Sequence, residues 1–315
     1  EHTYKTFLGG LLTLLTFMLL VGFTVYSFIG MLKKTNFKLI TSTILDFTSS
    51  YNFGGQPYLV ALSNTTDIIE YDERLYNFKL VQVFYDNHKH GSELNFETKE
   101  LKLINCGNFE KTNISYFRNL FYYRYNMSKY FCIDPKEDFF FYGAYGDVVH
   151  GFKGNRFIVN KCNNETLKKE NKNFTCYSKE IINEKLKNCH VLNHFIGYKL
   201  NQYSTNNTHL IEEELGKSIP LSLEYTKAYF LTFSKVNYYV DSSIFIGSKQ
   251  KLEFFLPGEV NMDIDISSYN NTRIKLIDDN TIGLISYNLD GKIIEYKKTL
   301  YYYKDFFTEI GGIYN

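Results

Sequence analysis

Residues 6–32 read TFLGGLLTLLTFMLLVGFTVYSFIGML, a stretch without a charged side chain that lies between Lys5 and the pair Lys33–Lys34. A helix rises about 1.5 Å per residue, so this stretch reaches roughly 40 Å and exceeds the hydrocarbon thickness of a bilayer. A secretory signal has a shorter apolar region and a small-residue cleavage site, whereas this stretch stays apolar throughout and carries Tyr26 near one interface. The sequence therefore predicts a membrane-spanning helix over residues 6–33.

The rest of the chain has the composition of a folded domain with many aromatic residues. Tyr and Phe number 28 each, Trp is absent, and the formal net charge is only +1. This balance gives no basic excess for nucleic acid and no acidic excess for a cation buffer. Four prolines and no Ser/Gly/Pro-rich linker favour one domain, with room for two subdomains.

We expect residues 1–5 to be the cytosolic end of a longer tail and residues 34–300 to form a lumenal or extracellular domain. Sequons for N-glycosylation support this side of the membrane, because all of them follow the apolar stretch and they exceed the number that the asparagine content gives by chance. The asparagines of these sequons are Asn64, Asn113, Asn126, Asn164, Asn173, Asn206 and Asn270. The positive-inside rule favours the opposite side, because Lys33, Lys34 and Lys38 follow the helix and only Lys5 precedes it.

Five cysteines lie in the same large region, and none lies in the apolar stretch. In an oxidising compartment the simplest pairing joins Cys106 to Cys132 and Cys162 to Cys176. Other pairings stay open, because four cysteines alone allow three. Cys189 is then a free thiol or a link to another chain.

Beyond the helix the hydrophobic pattern is mostly that of β-strands. Alternation predicts strands at 58–62, 76–85, 100–104, 139–142 and 155–159, and in the region from Leu221 to Phe233. Residues 273–277, 281–287 and 292–297 are expected to form a three-stranded meander, with turns at 278–280 and 288–291. One helix is expected from Lys179 to Leu186, with Ser178 as its N-cap. The predicted fold is mainly β: an antiparallel two-layer β-sandwich with a few short helices.

Residues 301–315 turn apolar towards their end and are expected to lead into a second membrane helix. Gly311–Gly312 lies at this boundary, and Gly9–Gly10 lies at the boundary of the first helix. Small residues let membrane helices approach closely, so the two glycine pairs are candidates for helix packing. Two ordinary Gly–Gly pairs explain the pattern equally well.

Several segments occur in an order that resembles a large family of ciliate two-pass membrane proteins, over nearly the whole chain. They are residues 5–13, 71–76, 131–134 and 143–146, Cys176 with residues 178–180, and 303–305 with Gly311–Gly312. The resemblance implies one helix, a Cys-containing ectodomain and a second helix after the last Gly–Gly, and it implies no defined activity. The chain departs from the pattern at Cys189.

A weaker resemblance, in layout and in the two ends, is to the cargo receptors that cycle between endoplasmic reticulum and Golgi. Their Lys-Thr-x-x-Gly-Gly start corresponds to residues 5–10, and they too have a Gly–Gly pair at the far end. This resemblance implies a lumenal β-sandwich that binds soluble proteins.

Candidate metal ligands cluster at His88–Lys89–His90 and at Cys189–His190 with His194, but neither cluster has a partner at a diagnostic spacing. Asp263 and Asp265, with Asp278–Asp279, are candidates for Ca²⁺, although an exposed strand face and a turn explain them more simply. The sequence has no nucleophile elbow, phosphate-binding loop or zinc-protease motif. We therefore expect no enzyme, no cofactor and no metal.

Basic and aromatic residues interleave at 116–130, a pattern that in an intracellular protein would suggest single-stranded nucleic acid. Beside the sequons at Asn113 and Asn126 it favours a protein contact, since aromatic residues and Arg are enriched at interface cores. The expected function is non-enzymatic: a membrane glycoprotein whose ectodomain makes structural contacts with itself or its relatives. The alternative is a cargo receptor of the secretory pathway. The expected partners are membrane lipid and other membrane glycoproteins, without nucleic acid or a small-molecule substrate.

Overall fold

The computed structural model describes residues 7–32, 37–52, 58–65, 67–85, 96–111, 126–144, 147, 149–200, 210–241, 249–265, 277–300 and 308. The helices are α1 (Phe7–Leu32), α2 (Asn164–Lys169) and α3 (Lys179–Lys185). The first strands are β1 (Phe37–Leu45), β2 (Ser50–Asn52), β3 (Tyr58–Ser63), β4 (Tyr76–Tyr85), β5 (Phe96–Leu101), β6 (Leu103–Asn105) and β7 (Phe131–Ile133). The remaining strands are β8 (Phe140–Tyr142), β9 (Phe152–Lys161), β10 (His190–Leu200), β11 (Leu210–Pro220), β12 (Lys227–Asp241), β13 (Lys249–Asp265) and β14 (Thr281–Leu300).

Two sheets form the β domain. The larger sheet has the order β13-β12-β14-β9-β4-β5, with β1, β2 and β8 attached beside this path, and the smaller sheet has the order β11-β10-β3-β7-β6. Neighbouring strands pair antiparallel except for β12 and β14, which run parallel. The predicted fold class, mainly β with a sandwich-like arrangement and a few short helices, is confirmed.

The main core lies between the two sheets, as the alternating patterns require. Phe157 and Ile285 of the larger sheet face Val60, Val191 and Phe195 of the smaller one, and all five are 2 % exposed or less. Aromatic side chains supply much of this core, each burying about 150–250 Å². Large fully buried aromatic residues are Tyr76, Tyr130, Tyr238, Tyr287, Phe141 and Phe157.

Residues 273–276 of the predicted three-stranded meander lie outside the described residues, and the prediction of two separate strands after them is wrong, because the two are one strand. β14 runs without interruption from Thr281 to Leu300, and β12 pairs with both halves in the same parallel direction. The residues Asn288–Gly291 have the composition of a hairpin turn but form an irregularity within the strand. Phe233 pairs with Leu289 and Lys235 with Ile293, so β14 has two more residues than β12 over this interval.

Backbone geometry explains why a turn-like sequence is tolerated in β14. Gly291 has a φ of +70°, a conformation that glycine adopts without strain. Its carbonyl accepts a hydrogen bond from the Asp46 backbone N–H at 2.8 Å, and Asp290 accepts one from the Ser234 hydroxyl at 2.5 Å. These contacts stabilise the irregularity, which lies between the part of β14 that pairs with β9 and the part that pairs with β1.

Other predicted elements agree closely with the structure. β4 has the predicted bounds, and the predicted helix forms α3, whose Ser178 side chain accepts a hydrogen bond from the Ile181 N–H. The predicted strand at 100–104 is divided, because the chain passes from β5 in the larger sheet to β6 in the smaller one at Lys102. Residues 221–226 connect β11 to β12 and are not part of a strand.

Candidate interaction surface

The surface of α1 is that of a helix suited to lipid. Within it, residues Gly9–Gly30 are long and apolar enough to cross a membrane, and large apolar side chains such as Leu19 and Phe17 are more than half exposed. The hydroxyls of Thr13, Thr16 and Thr24 donate to the carbonyl four residues earlier at 2.8–2.9 Å. No water is available in hydrocarbon, so this internal pairing is what a lipid-facing hydroxyl requires.

Strand β1 brings the two ends of the β domain together. It pairs antiparallel with the last part of β14, from Phe37 opposite Leu300 to Leu45 opposite Lys292. Only residues 33–36 separate Phe37 from the end of α1, and five extended steps cover at most about 18 Å. Leu300 therefore lies near the end of α1, whatever path those four residues take.

We call the four-stranded part of the larger sheet next to α1 the stem. It consists of Phe37–Leu45, Lys235–Asp241, Lys249–Leu256 and Lys292–Leu300. One face of the stem is apolar: Val236, Tyr238, Val240 and Phe254 are at most 4 % exposed and pack with partly buried neighbours. Lys298 is only 3 % exposed, and burial lowers the pKa of its ammonium group.

The opposite face of the stem carries a transverse row of oxygen-bearing side chains, one from each strand. The register places Glu253, Asn237, Glu295 and Ser42 side by side. Glu295 accepts hydrogen bonds from Tyr239 and Ser42 at 3.4 and 3.5 Å.

Lysines flank this row and pair with its carboxylates. Lys297 lies 2.8 Å from Glu295, Lys235 lies 3.6 Å from Glu253, and Lys251 also pairs with Glu253. The hydrogen bond from Lys297 lowers the pKa of Glu295, and the one from Lys251 lowers the pKa of Glu253. Ion pairs at the surface contribute little to the free energy of unfolding, so their main effect is to place charges of both signs on this face of the stem.

The edge of the stem is apolar and exposed. Ile40, Ile44 and Leu45 of β1 and the following Phe47 are 43, 46, 65 and 41 % exposed. Among the described residues β1 pairs with β14 alone. An exposed apolar edge strand is a place where another chain binds, unless it is blocked by charge, proline or a covering segment.

Sequence reasoning missed β1. The segment FKLITSTIL contains four β-branched residues in nine, which favours a strand. The lysines before it are typical of a membrane boundary. The strand also lacks the regular alternation of apolar and polar residues that predicts a half-buried strand.

The structure contains two disulfides, Cys106–Cys132 and Cys162–Cys176, the two pairs that the sequence analysis put first. Cys106 and Cys132 belong to a small cluster with Leu59, Ala61 and Tyr130 on the outer side of the smaller sheet. The second bridge closes a loop of 14 residues that contains α2. Asn163 caps α2 by accepting a hydrogen bond from the Glu165 N–H at 2.8 Å.

Cys189 is free and only 1 % exposed. Its thiol donates a weak hydrogen bond to the Lys185 carbonyl at 3.6 Å, and burial raises the pKa of the thiol to about 12. A link from Cys189 to another chain would require the segment around it to open.

The four sequon asparagines within the described residues are all exposed: Asn64, Asn126, Asn164 and Asn173. Asn113, Asn206 and Asn270 lie outside the described residues. Asn164 and Asn173 lie in the loop of the second disulfide. This loop follows the end of β9, and there Asn160 pairs with Thr281, the first residue of β14.

Three of the glycosylation candidates, Asn64, Asn164 and Asn173, lie at the other end of the β domain from the apolar edge. A strand of 20 residues such as β14 spans roughly 60 Å at about 3.3 Å per residue. β1 pairs with the last nine residues of β14, whereas the loop with Asn164 and Asn173 lies beside the first. Asn64 also lies at the far end, since it follows Ser63, the partner of His190 at the start of β10.

The candidate metal ligands do not converge in the part of the chain that the structure describes. No group of three or more His, Cys, Asp or Glu side chains there could hold an ion. His190 and His194 both lie on β10, four residues and about 13 Å apart, too far to share one ion. His88 and His90 lie outside the described residues, as do 112–125 of the basic and aromatic segment. Gly9 and Gly10 lie in α1, and Gly311 and Gly312 are outside the described residues.

A buried polar group that no sequence pattern indicated joins the two sheets. The Tyr58 and Tyr287 hydroxyls lie 2.6 Å apart, and the Asn193 side-chain amide donates to the Tyr287 hydroxyl at 2.8 Å. Tyr58 and Asn193 belong to the smaller sheet and Tyr287 to the larger one. Burial raises the pKa of both phenols, so they stay neutral and able to donate.

A family model described as "Uncharacterised 80 kDa protein N-terminal domain" matches residues 59–290, most of the β domain. The chain belongs to this family. No curated protein matches the chain. A solved structure, "Cryo-EM structure of a proton-activated chloride channel", is similar over 97 % of this chain and 92 % of that one at 10 % identity, but its TM-score of 0.30 supports no inference.

Proposed function

We propose that the chain is a non-enzymatic membrane glycoprotein whose ectodomain makes structural contacts with further copies of itself, or with relatives, at a membrane surface. The observation that carries the proposal is the exposed apolar edge of the stem, Ile40, Ile44, Leu45 and Phe47, beside the end of α1. A membrane anchor would hold all copies at the same height, so the stem of one chain would lie level with the stem of its neighbour.

The separation of sequons from this edge supports the proposal. Glycans at Asn64, Asn164 and Asn173 would cover the end of the domain away from α1, and they would leave β1 accessible. Two disulfides and exposed sequons are also typical of a domain in an oxidising compartment, extracellular or lumenal. The lysines after α1 are the one feature that favours the other orientation.

The pairing of β1 with β14 supports a two-pass arrangement. Because Phe37 and Leu300 are neighbours, a chain that continues past Leu300 starts close to the end of α1. Residues 301–315 would then return to the membrane that α1 spans, which anchors both ends of the ectodomain.

The proposal is tested with two differently tagged copies of the full-length chain, co-expressed and extracted in mild detergent. Capture of one tag should bring down the other copy. The double substitution Ile40→Glu with Ile44→Glu should reduce co-capture roughly tenfold or more, since an interface anchor contributes about 2 kcal/mol or more.

The matched control is Ile181→Glu, compared with the single substitution Ile44→Glu. Ile181 is 39 % exposed and Ile44 is 46 % exposed, but Ile181 lies away from the stem. The control should co-capture like the wild type. Equal loss in both variants, or capture of no second copy by the wild type, would contradict the proposal. Capture of soluble secretory proteins without a second copy would favour the cargo receptor.

A further inference from the structure

A cavity lies at the edge of the β domain, where the chain passes from one sheet to the other. Among the described strands, β5 ends the path of the larger sheet and β6 ends that of the smaller one, and Lys102 connects them. The cavity, which we call the edge cavity, has a volume of about 360 Å³. This volume falls within the range of roughly 300–1,000 Å³ that is typical of small-molecule sites.

Three aromatic side chains line the edge cavity, and they come from both sheets. Phe78 belongs to β4 of the larger sheet, Phe131 belongs to β7 of the smaller one, and Tyr71 precedes β4. The ring centroids of Tyr71 and Phe131 lie 4.6 Å apart, and those of Phe78 and Phe131 lie 5.7 Å apart. All three side chains pack against the main core but are only partly buried, so the cavity has an aromatic wall.

The charged residues at the edge cavity favour a positively charged ligand. Among the described residues that line it, Glu100 and Glu137 are acidic and Lys102 is basic. The Lys102 ammonium lies 3.6 Å from the Asp134 carboxylate, so its charge is balanced by a group outside the lining. Glu137 pairs with Lys99 at 3.1 Å, whereas Glu100 forms no ion pair within the part of the chain that the structure describes.

The surroundings of Tyr71 are acidic as well. Burial raises the pKa of its phenol, and the nearby carboxylates of Glu73, Glu170 and Asp72 raise it further. The same carboxylates lower the electrostatic potential at this wall of the cavity, which favours a cation over an anion.

We propose that the edge cavity binds a small alkylated ammonium ion, held against the three aromatic rings with the carboxylates of Glu100 and Glu137 near its charge. Aromatic rings attract cations that lie within about 6 Å of the ring centroid, and quaternary ammonium groups are recognised in this way. A metal ion fits less well, because it needs several oxygen ligands and no three His, Cys, Asp or Glu side chains converge among the described residues.

The position of the edge cavity favours a soluble ligand over a lipid headgroup. Phe78 lies in register with Val159 of β9, which pairs with Gly283 near the start of β14. Roughly 50 Å of strand separate Gly283 from Leu300, and Leu300 lies near the end of α1. Headgroups of a membrane around α1 would therefore be out of reach.

Saturation-transfer NMR on the full-length protein tests the proposal, in a maltoside detergent because this detergent has no ammonium group. The probes are choline and its neutral analogue, in which a tert-butyl group replaces the trimethylammonium group. Choline should bind saturably, and the neutral analogue should bind roughly fivefold more weakly or worse, because it has the same shape but no charge to interact with the rings.

Two variants and a matched control locate the site. Phe131→Leu keeps an apolar side chain but removes one ring, so choline should bind roughly fivefold more weakly. Glu100→Gln changes an exposed side chain that the fold does not need, and choline should bind about threefold more weakly. Glu97→Gln lies on the same strand outside the lining, and it should bind choline like the wild type.

Three results would overturn the proposal: no saturable binding of choline to the wild type, equal binding of choline and its neutral analogue, or wild-type affinity for choline in Glu100→Gln. Equal weakening in Glu100→Gln and Glu97→Gln would also overturn it, since the effect would then not come from the cavity. Co-capture of two tagged copies does not depend on this cavity, so the result is independent of the proposed assembly.

Discussion

At the scale of single residues, the contact between Tyr58, Tyr287 and Asn193 connects the two layers of the domain. Two hydroxyls and an amide nitrogen lie in a buried position and hydrogen-bond to one another at 2.6 and 2.8 Å, whereas the Asn193 Oδ1 has no hydrogen-bond partner among the described residues. A buried polar group costs free energy when it loses its partner, so the three residues depend on one another. They help to fix the relative position of the sheets, as does the hydrogen bond from the Tyr229 hydroxyl of β12 to the Pro220 carbonyl of β11 at 2.9 Å.

Substitution of Tyr287 by Phe tests this contact. The change keeps the ring but leaves the Tyr58 hydroxyl and the Asn193 amide without this partner, so the free energy of unfolding should fall by about 1–3 kcal/mol. Thermal or denaturant unfolding of the solubilised full-length protein measures the effect. Tyr239→Phe, on the accessible face of the stem, should be nearly neutral. Equal stability of Tyr287→Phe and wild type would show that the network contributes nothing.

The sequence could indicate buried strands around these residues but not the contact itself. Tyr58 and Tyr287 are 229 positions apart, and no local pattern distinguishes a tyrosine that meets a polar partner from one that only packs. The disulfide pairs are easier to predict than this contact, because cysteines that are close in sequence form short loops at the lowest entropic cost. Exposure of the sequon asparagines is also local, since hydrophilic segments between strands lie at the surface.

At the scale of elements, the pairing of β1 with β14 determines which end of the β domain lies next to α1. The residues Asn288–Gly291 have hairpin composition, yet β14 continues because β12 pairs with it on both sides of the irregularity. Turn propensity is a local preference, and a long partner strand outweighs it. The pairing of β1 with the last part of β14 places β1 at the edge of the stem, and the sequence of β1 alone does not predict this position.

The second disulfide gives a prediction at this scale. Replacing both Cys162 and Cys176 by Ala removes a bridge across a loop of 14 residues, and the chain-entropy estimate for such a loop is about 3 kcal/mol. The free energy of unfolding should fall by roughly that amount. Limited proteolysis should also find new cleavage sites around α2, which lies inside the loop.

Cys189→Ala is the control for this pair, because the thiol is free and buried and its loss removes only one small group. It should leave the loop as resistant to protease as in the wild type. If the double variant kept wild-type stability and protease resistance, the bridge would have no structural role.

At the scale of the whole molecule, the exposed apolar edge and two of the glycosylation candidates, Asn164 and Asn173, lie at opposite ends of the larger sheet. The exposed apolar edge lies beside α1, and the loop with Asn164 and Asn173 lies at the start of β14. This distribution is what the proposed lateral assembly requires, because glycans at these two asparagines would leave the apolar edge accessible. From the sequence, the long apolar helix, the β-rich class and the two disulfide pairs could be predicted. The location of the contact surface could not, because it depends on β1 pairing with a strand more than 200 residues later.

The mass of the full-length glycosylated chain in lipid nanodiscs tests the central claim of lateral assembly most directly. Mass photometry, with the lipid and scaffold contribution subtracted, counts the copies in each particle. Assembly through the stem predicts a discrete species of two or more copies for the wild type, and single copies for Ile40→Glu with Ile44→Glu. A wild-type protein that is strictly monomeric would contradict the account.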